Sequence, residues 1–352
     1  MKYNMSKTRN LWWQLIRGLC IVTVILVHCA PMMGDPFDSI DNGIFFLFRS
    51  LYCFPVAIFF YISGRFSKVP ENREEKKVFL KKRMLRLGAP YLSWTTLYII
   101  FWVLCGQRMR LGDIILKYLI GSAAMPFYYL IVLGYFTIIG TCLLDAKKLI
   151  VIRNDKTKER RYIVTCIVAC MLLESAGYFA ALKDIDIQWV KYTPVWACFY
   201  LMGIAVGNKV INVRKVEKRN LIGLTLIAYL LIIAEELLLL AIEGSAIAWS
   251  QWHITAFVFS FVLIAVIENA SGYTPSESNI LVKIGDESFG LFLVHCFFIS
   301  IFASIYNKLD ISLPLIIHRI LQFTFSLIGS IVLIKVIRLI LPEKIYRCWL
   351  GL

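Results

Sequence analysis

Apolar residues run in long blocks along this chain, and short clusters of Lys and Arg break them at near-regular intervals. A helix needs about 20 mostly apolar residues to cross a bilayer. Ten blocks approach that length: 11–31, 44–64, 87–105, 125–144, 161–182, 194–208, 220–242, 249–269, 284–305 and 313–341. The sixth is short and the tenth is long. Pro314 stands where it would open the tenth, a position at which proline removes no hydrogen bond. The pattern predicts an all-α polytopic membrane protein with about ten transmembrane helices. Between blocks, 106–124 carries Leu111, Ile114, Ile115, Tyr118 and Leu119 at helical spacing, as in a helix lying on a membrane surface. The stretch 71–86 also has a helical pattern, with Val78, Phe79, Met84 and Leu85 opposite its charges.

The polar clusters assign a direction. One set of loops holds Lys2, Lys7, Arg9, the runs Arg65–Arg86, Lys147–Arg161 and Lys209–Arg219, and Lys283, Lys344 and Arg347. The alternate set holds Arg108, Arg110, Lys117, Lys183, Lys191 and Lys308, a split of 27 to 6 among the 38 Lys and Arg. Cytoplasmic loops carry such an excess, so both termini are expected in the cytoplasm. Composition agrees: 59% of residues are hydrophobic and 17% charged, with mean hydropathy +0.71. Soluble domains are nearer half apolar and a quarter charged. A net charge of +15 would admit a nucleic-acid partner, but its confinement to short loops between apolar blocks excludes that class. No small-residue cleavage pattern follows the first block, which reads as a span and not as a signal peptide. Residues 1–352 read as a single transmembrane domain with no soluble extracellular domain. The 10 cysteines lie mostly in or beside apolar blocks with no C-x-x-C pair. They predict small buried side chains, with neither a metal site nor a disulfide framework. No internal repeat is visible.

Some positions inside the blocks are chemically costly. Arg17 and His28 lie eleven apart in the first block, about three helical turns and roughly 16 Å along one face. Ionisable groups within a membrane usually face a protein interior or a water-filled cavity. The pair therefore predicts a polar slot, with Arg17 toward the cytoplasm and His28 toward the outside. Arginine suits phosphate or carboxylate; a neutral imidazole can take a proton. Snorkelling of both groups to the two interfaces is the plain alternative. Arg83 and Arg86, three apart, share a helix face and are candidates to grip phosphates; the alternative is simple cytoplasmic anchoring. Ser63-Gly64 closes the second block, where Gly64 would permit a sharp turn or a close backbone approach; the plain alternative is an ordinary helix end. Ser288 and His295 share a face in the ninth block, with His295 near its middle. Glu174, Glu235 and Glu236 are also intramembrane, and Arg49 or Arg319 would neutralise one of them. His253 and His318 fall near outer block ends.

Taken in order, these positions resemble the acyltransferase-3 family of integral membrane acyltransferases, over nearly the whole chain. Arg17 and His28 match its R-x10-H signature. Phe59-Phe60-Tyr61-Ile62-Ser63-Gly64 matches its F-F-x-x-S-G. Arg83-Met84-Leu85-Arg86, running on to Pro90-Tyr91, matches its R-x-x-R stretch. Phe127-Tyr128-Tyr129-Leu130 is similar to its W-[FY]-L segment, with phenylalanine and tyrosine where tryptophan is usual. Phe199 to Gly203 resembles an aromatic–glycine span of the family, and Ser288 to His295 resembles its S-[FY]-x-x-[FY]-L-x-H.

The resemblance implies acyl transfer from cytoplasmic acyl-CoA, with acetyl the expected group, to a hydroxyl of a cell-surface or exopolysaccharide glycan. It implies a bacterial cytoplasmic membrane and no permanently bound cofactor. In that reading His28 is the general base and Arg17 holds donor phosphate or stabilises charge at the reacting carbonyl. Arg83 and Arg86 anchor CoA, while Ser63, Ser288 and His295 line the cavity or orient the acceptor. Partners would be acyl-CoA, the glycan and the bilayer, with no nucleic acid. The rival class is a proton-coupled exporter of a glycan or small metabolite, which intramembrane acids and a buried histidine would also suit.

Overall fold

The computed structural model describes residues 10–29, 38–144, 146–182, 194–213, 217–243, 254–310 and 312–352. His253, the opening of the eighth block at 249–253, and Lys2, Lys7, Arg9, Lys183 and Lys191 lie outside them. Every regular element among the described residues is helical. The α-helices are α1 (Leu11–His28), α2 (Ile40–Leu51), α3 (Pro55–Arg65), α4 (Arg73–Leu104), α5 (Leu111–Ile120), α6 (Tyr128–Leu143), α7 (Ala146–Arg153) and α8 (Lys156–Leu182). They continue with α9 (Ala197–Gly207), α10 (Lys218–Glu243), α11 (Ile254–Asn269), α12 (Ile280–Asp286), α13 (Ser288–Leu309), α14 (Leu315–Ile340) and α15 (Glu343–Cys348).

Among the described residues, 7 segments are long and apolar enough to cross a membrane. They are α1, Ile40–Arg65 (α2 with α3), α4, Met125–Cys142, Arg219–Ala241, α13 and α14. The fifth, sixth and eighth blocks are occupied by α8, α9 and α11, of which α9 and α11 are shorter apolar helices. Leucine and isoleucine side chains along α10 and α14, such as Leu226, Leu230, Ile320 and Ile328, are exposed. A soluble monomer rarely shows so much contiguous apolar surface, whereas a lipid-facing wall requires it.

Local chemistry explains where the elements depart from the blocks. The second block is broken at 52–54 because Pro55, which lacks an N–H, starts a fresh helix. The ninth divides at Glu287 into α12 and α13. Conversely, 71–86 and the third block fuse into α4, which runs unbroken for 32 residues through Pro90. Its start is fixed by Asn72, whose side chain accepts from the Glu75 amide at 2.9 Å, with Glu74 and Glu75 in the first turn. As the amphipathic pattern of 106–124 predicts, α5 leaves Leu111, Ile115, Leu116 and Leu119 exposed.

Two helix crossings position the interior. α1 packs on α12, and α3 packs on α9, with backbones nearly touching. A Cβ at Gly18 would fall on the Leu281 carbonyl oxygen, and one at Gly285 on that of Gln14. In the second crossing Gly64 meets the Tyr200 carbonyl and Gly203 that of Tyr61. Small residues give helices in lipid the close approach that the hydrophobic effect cannot supply there. Arg17 and Ser63 each adjoin one of these glycines in sequence, so both crossings set the direction of a polar side chain. Ion pairs add to the frame. Arg65 Nε donates to Glu268 Oε1 at 2.5 Å and the Tyr61 hydroxyl to the same oxygen at 2.6 Å. Arg338 grips Glu287 with two bonds of 2.7 and 2.6 Å.

Candidate active site

The interior holds a partly open cavity of about 510 Å³ lined by α1, α3, α4, α6 and α13. Helical spacing decides what each contributes. Gln14 and Arg17 are three apart on α1, Phe59 and Ser63 four apart on α3, and Ser288 and Phe292 four apart on α13. From α4 come Arg83, Arg86 and Leu87, and from α6 Tyr129 and Leu133. Arg17, Ser63, Arg83, Arg86 and Ser288 therefore converge on one space from four helices that are far apart in the chain.

The charge of this cavity is one-sided. Among the described residues, no Asp or Glu lines it. Arg83 and Arg86 lie close enough to act on Arg17 through space, with Asp286 the nearby opposing charge. Like charges held close together repel, and a bound anion relieves that cost. Two buried polar atoms, Arg83 Nε and Gln14 Oε1, have no hydrogen-bond partner among the described residues. Such orphans are expensive unless a ligand or water meets them. The Tyr129 hydroxyl also faces the cavity and lies 3.2 Å from Ser63 Oγ.

His28 is placed elsewhere. It ends α1 and is not among the lining residues. Its ring centroid lies 5.3 Å from that of His295. His295 is fully buried, and its Nδ1 lies 2.9 Å from the Leu291 carbonyl oxygen. A carbonyl only accepts, so Nδ1 carries the proton and Nε2 keeps a lone pair when the ring is neutral. Tyr98 steadies this stretch. Its hydroxyl donates to the Leu293 carbonyl at 3.1 Å and accepts from the Phe297 amide at 3.0 Å, bridging two groups that an α-helix joins directly. Of the pair expected to share one polar slot, Arg17 lines this cavity and His28 is not among its described lining residues. His28 belongs to the histidine pair, and Phe292 touches both cavity and pair, with its ring 6.4 Å from that of His295.

The intramembrane acids stay out of the cavity lining. Glu174 and Glu236 are buried; Glu236 accepts from the Ser50 hydroxyl and lies within electrostatic reach of Arg49. Glu235 accepts from the Thr255 amide at 2.9 Å and caps the start of α11. Arg319 donates to Gln322 at 3.0 Å, and His318 packs edge-on against Tyr306. Cys20, Cys29, Cys53, Cys166, Cys170 and Cys198 are buried, whereas Cys105, Cys142 and Cys348 are exposed at helix ends.

Two polar cavity residues, Asn10 and Gln14, have no part in the sequence reading, and Tyr129 enters it only as a member of the 127–130 motif. Asn10 and Gln14 were detectable, since they precede Arg17 by seven and three positions and so share its face. Nothing in the chain around Tyr129 pairs it with Ser63, 66 residues away.

Among the described residues the body is helical, with seven segments long and apolar enough to cross a membrane and an arginine-lined interior cavity, which defines a polytopic membrane protein. The acyltransferase-3 model, described as an acyltransferase domain, matches residues 10–338, and the chain belongs to that family of multi-pass membrane acyltransferases. Neither the curated proteins nor the solved structures yield a match to it.

Proposed function

We propose that the protein transfers an acyl group, acetyl in the first instance, from cytoplasmic acyl-CoA to a hydroxyl of a surface or exopolysaccharide glycan across a bacterial cytoplasmic membrane. The supporting observation is the convergence of Arg17, Arg83 and Arg86 on one cavity whose described lining residues include no carboxylate. CoA carries several phosphates, and guanidinium forks bind phosphate with paired charge-assisted hydrogen bonds. The proposed orientation has about ten spans, counting α8, α9 and α11, and both termini in the cytoplasm. The arginine cavity then faces the cytoplasm and the His28–His295 pair lies toward the outside. CoA is a substrate in this reading, and no resident cofactor is required.

The chemistry runs as a single displacement. The acceptor oxygen attacks the thioester carbonyl carbon while its proton passes to the neutral His28 ring. The C–S bond then breaks, and the CoA thiolate takes the proton from the imidazolium, leaving ester and free CoA. Arg17 steadies donor phosphate or the charge that develops near the carbonyl. Ser63 and Ser288 line the donor's path. His295, whose Nε2 lies 3.4 Å from Cys296 Sγ, lines the space beside His28 that the acceptor would enter.

Purified protein supplied with radiolabelled acetyl-CoA and a candidate glycan tests this. Label is expected in the glycan with wild type and at less than about one-hundredth of that rate with His28→Ala, matching the loss of a general base. Full activity in His28→Ala at equal protein level would remove His28 as the base. Unmodified glycan moving into vesicles, with no label incorporated, would favour an exporter instead.

A further inference from the structure

A row of aromatic rings lines the cavity and reaches the histidine pair through Phe292. Phe59, Tyr129 and Phe292 all line the cavity. The Phe59 and Tyr129 centroids are 6.3 Å apart, those of Tyr129 and Phe292 5.4 Å, and Phe60 backs Tyr129 at 4.5 Å. Rings at about 4.5–7 Å are in van der Waals contact, so Phe59, Tyr129 and Phe292 form one contiguous aromatic wall of the cavity. Phe292 also meets His295, and His295 meets His28. Tyr129 is tethered through its hydroxyl to Ser63, and Phe292 is half-way along α13 between cavity-lining Ser288 and His295. The rings come from three sequence motifs, at 59–64, 127–130 and 288–295, and no one of the motifs forms the wall alone.

We infer that Phe59, Tyr129 and Phe292 are an acyl-size selector, passing a short acyl group such as acetyl to the histidines and rejecting long chains. The inference rests on the reading above, in which acyl-CoA enters the arginine cavity and His28 is the base. With its phosphates among the guanidiniums, the donor has to send its thioester past these rings to reach His28. Rotation of one ring opens room for a small group. A longer chain must also be housed against the rings once its thioester stands at His28, and a packed interior resists added methylenes. Each methylene a site cannot house reduces transfer by about 10- to 200-fold.

The test uses inverted membrane vesicles containing the full chain, given radiolabelled acetyl-, butyryl- or octanoyl-CoA, with label counted in vesicle glycan. Wild type is expected to use acetyl-CoA and to use octanoyl-CoA at least about tenfold more slowly. Phe292→Ala and Phe59→Ala should raise the octanoyl-to-acetyl ratio by about tenfold or more. Phe298→Ala, whose ring packs on Phe325 away from the cavity, should leave the ratio at the wild-type value. Both donors are read on the same sample, so partial loss of folded protein does not move the ratio. Phe292→Leu carries the same test if the alanine variant fails to insert. An octanoyl rate equal to the acetyl rate in wild type, or unchanged ratios in the Phe59 and Phe292 variants, overturns the selector. No transfer from any acyl-CoA by wild type instead overturns the donor reading, and the selector falls with it.

Discussion

Arg83 shows what a single residue contributes. It lies on α4 one turn before Leu87, lines the cavity, and keeps its Nε buried without a partner among the described residues. Hydrogen bonds to a charged group are worth about 1.5–3 kcal/mol, or roughly tenfold to a hundredfold in binding. Arg83→Gln is therefore expected to raise the KM for acyl-CoA by about that factor while kcat changes little. Steady-state kinetics at varied acyl-CoA would show it, and an unchanged KM would remove Arg83 from the donor site. Arg83→Lys should recover only part of the loss, since an ammonium keeps the charge without the fork. The convergence of Arg83 with Arg17 was not legible from the chain, because the two residues belong to different helices. Their individual oddity was legible: each is a charge placed beside or within an apolar block.

At the scale of elements, glycine at two crossings decides how near the cavity walls stand. α3 and α9 meet where a Cβ on Gly203 would fall on the Tyr61 carbonyl oxygen. That neighbour is backbone and cannot swing aside. Gly203→Ala is expected to push the helices apart at a cost of about 1–3 kcal/mol, seen as a lower unfolding midpoint in detergent. Gly223 in α10 has nothing within 4 Å of its would-be Cβ. Gly223→Ala should leave the midpoint unchanged or raise it, since alanine is favoured over glycine in a helix by about 1 kcal/mol. Equal midpoints for the two variants would contradict the close crossing. The F-F-x-x-S-G pattern marked Gly64 as a turn or a close approach, and the structure selects close approach. Broken helices were less legible. Pro55 reads as part of an apolar run until one asks where its missing N–H is tolerated, and Pro90, equally apolar in context, leaves α4 continuous.

At the scale of the whole molecule, charge distribution and cavity position have to agree. The positive loops place the ends of α4 on opposite sides of the bilayer in the proposed orientation. Native cysteines report on this, because Cys105 at the end of α4 and Cys348 at the end of α15 are both exposed. A membrane-impermeant maleimide added to intact cells is expected to label Cys105, and Cys348 only after permeabilisation. The reverse pattern would invert the orientation and put the arginine cavity on the outer side. The same alternation that sets the direction also separates basic loops from apolar blocks, and that separation is why net charge did not imply nucleic acid.

The chain by itself determined that this is a helical membrane protein, which faces of its helices carry polar groups, and, through ordered motifs, its family. Those properties follow from periodicity and from the cost of polar groups in lipid, both local along the chain. Only the tertiary structure decided that Arg17, Arg83 and Arg86 share one cavity, that His28 stands against His295, and that Phe292 reaches both. Such meetings depend on which helices cross and how closely. Backbone contact at Gly18, Gly64, Gly203 and Gly285 sets that closeness between residues more than a hundred positions apart.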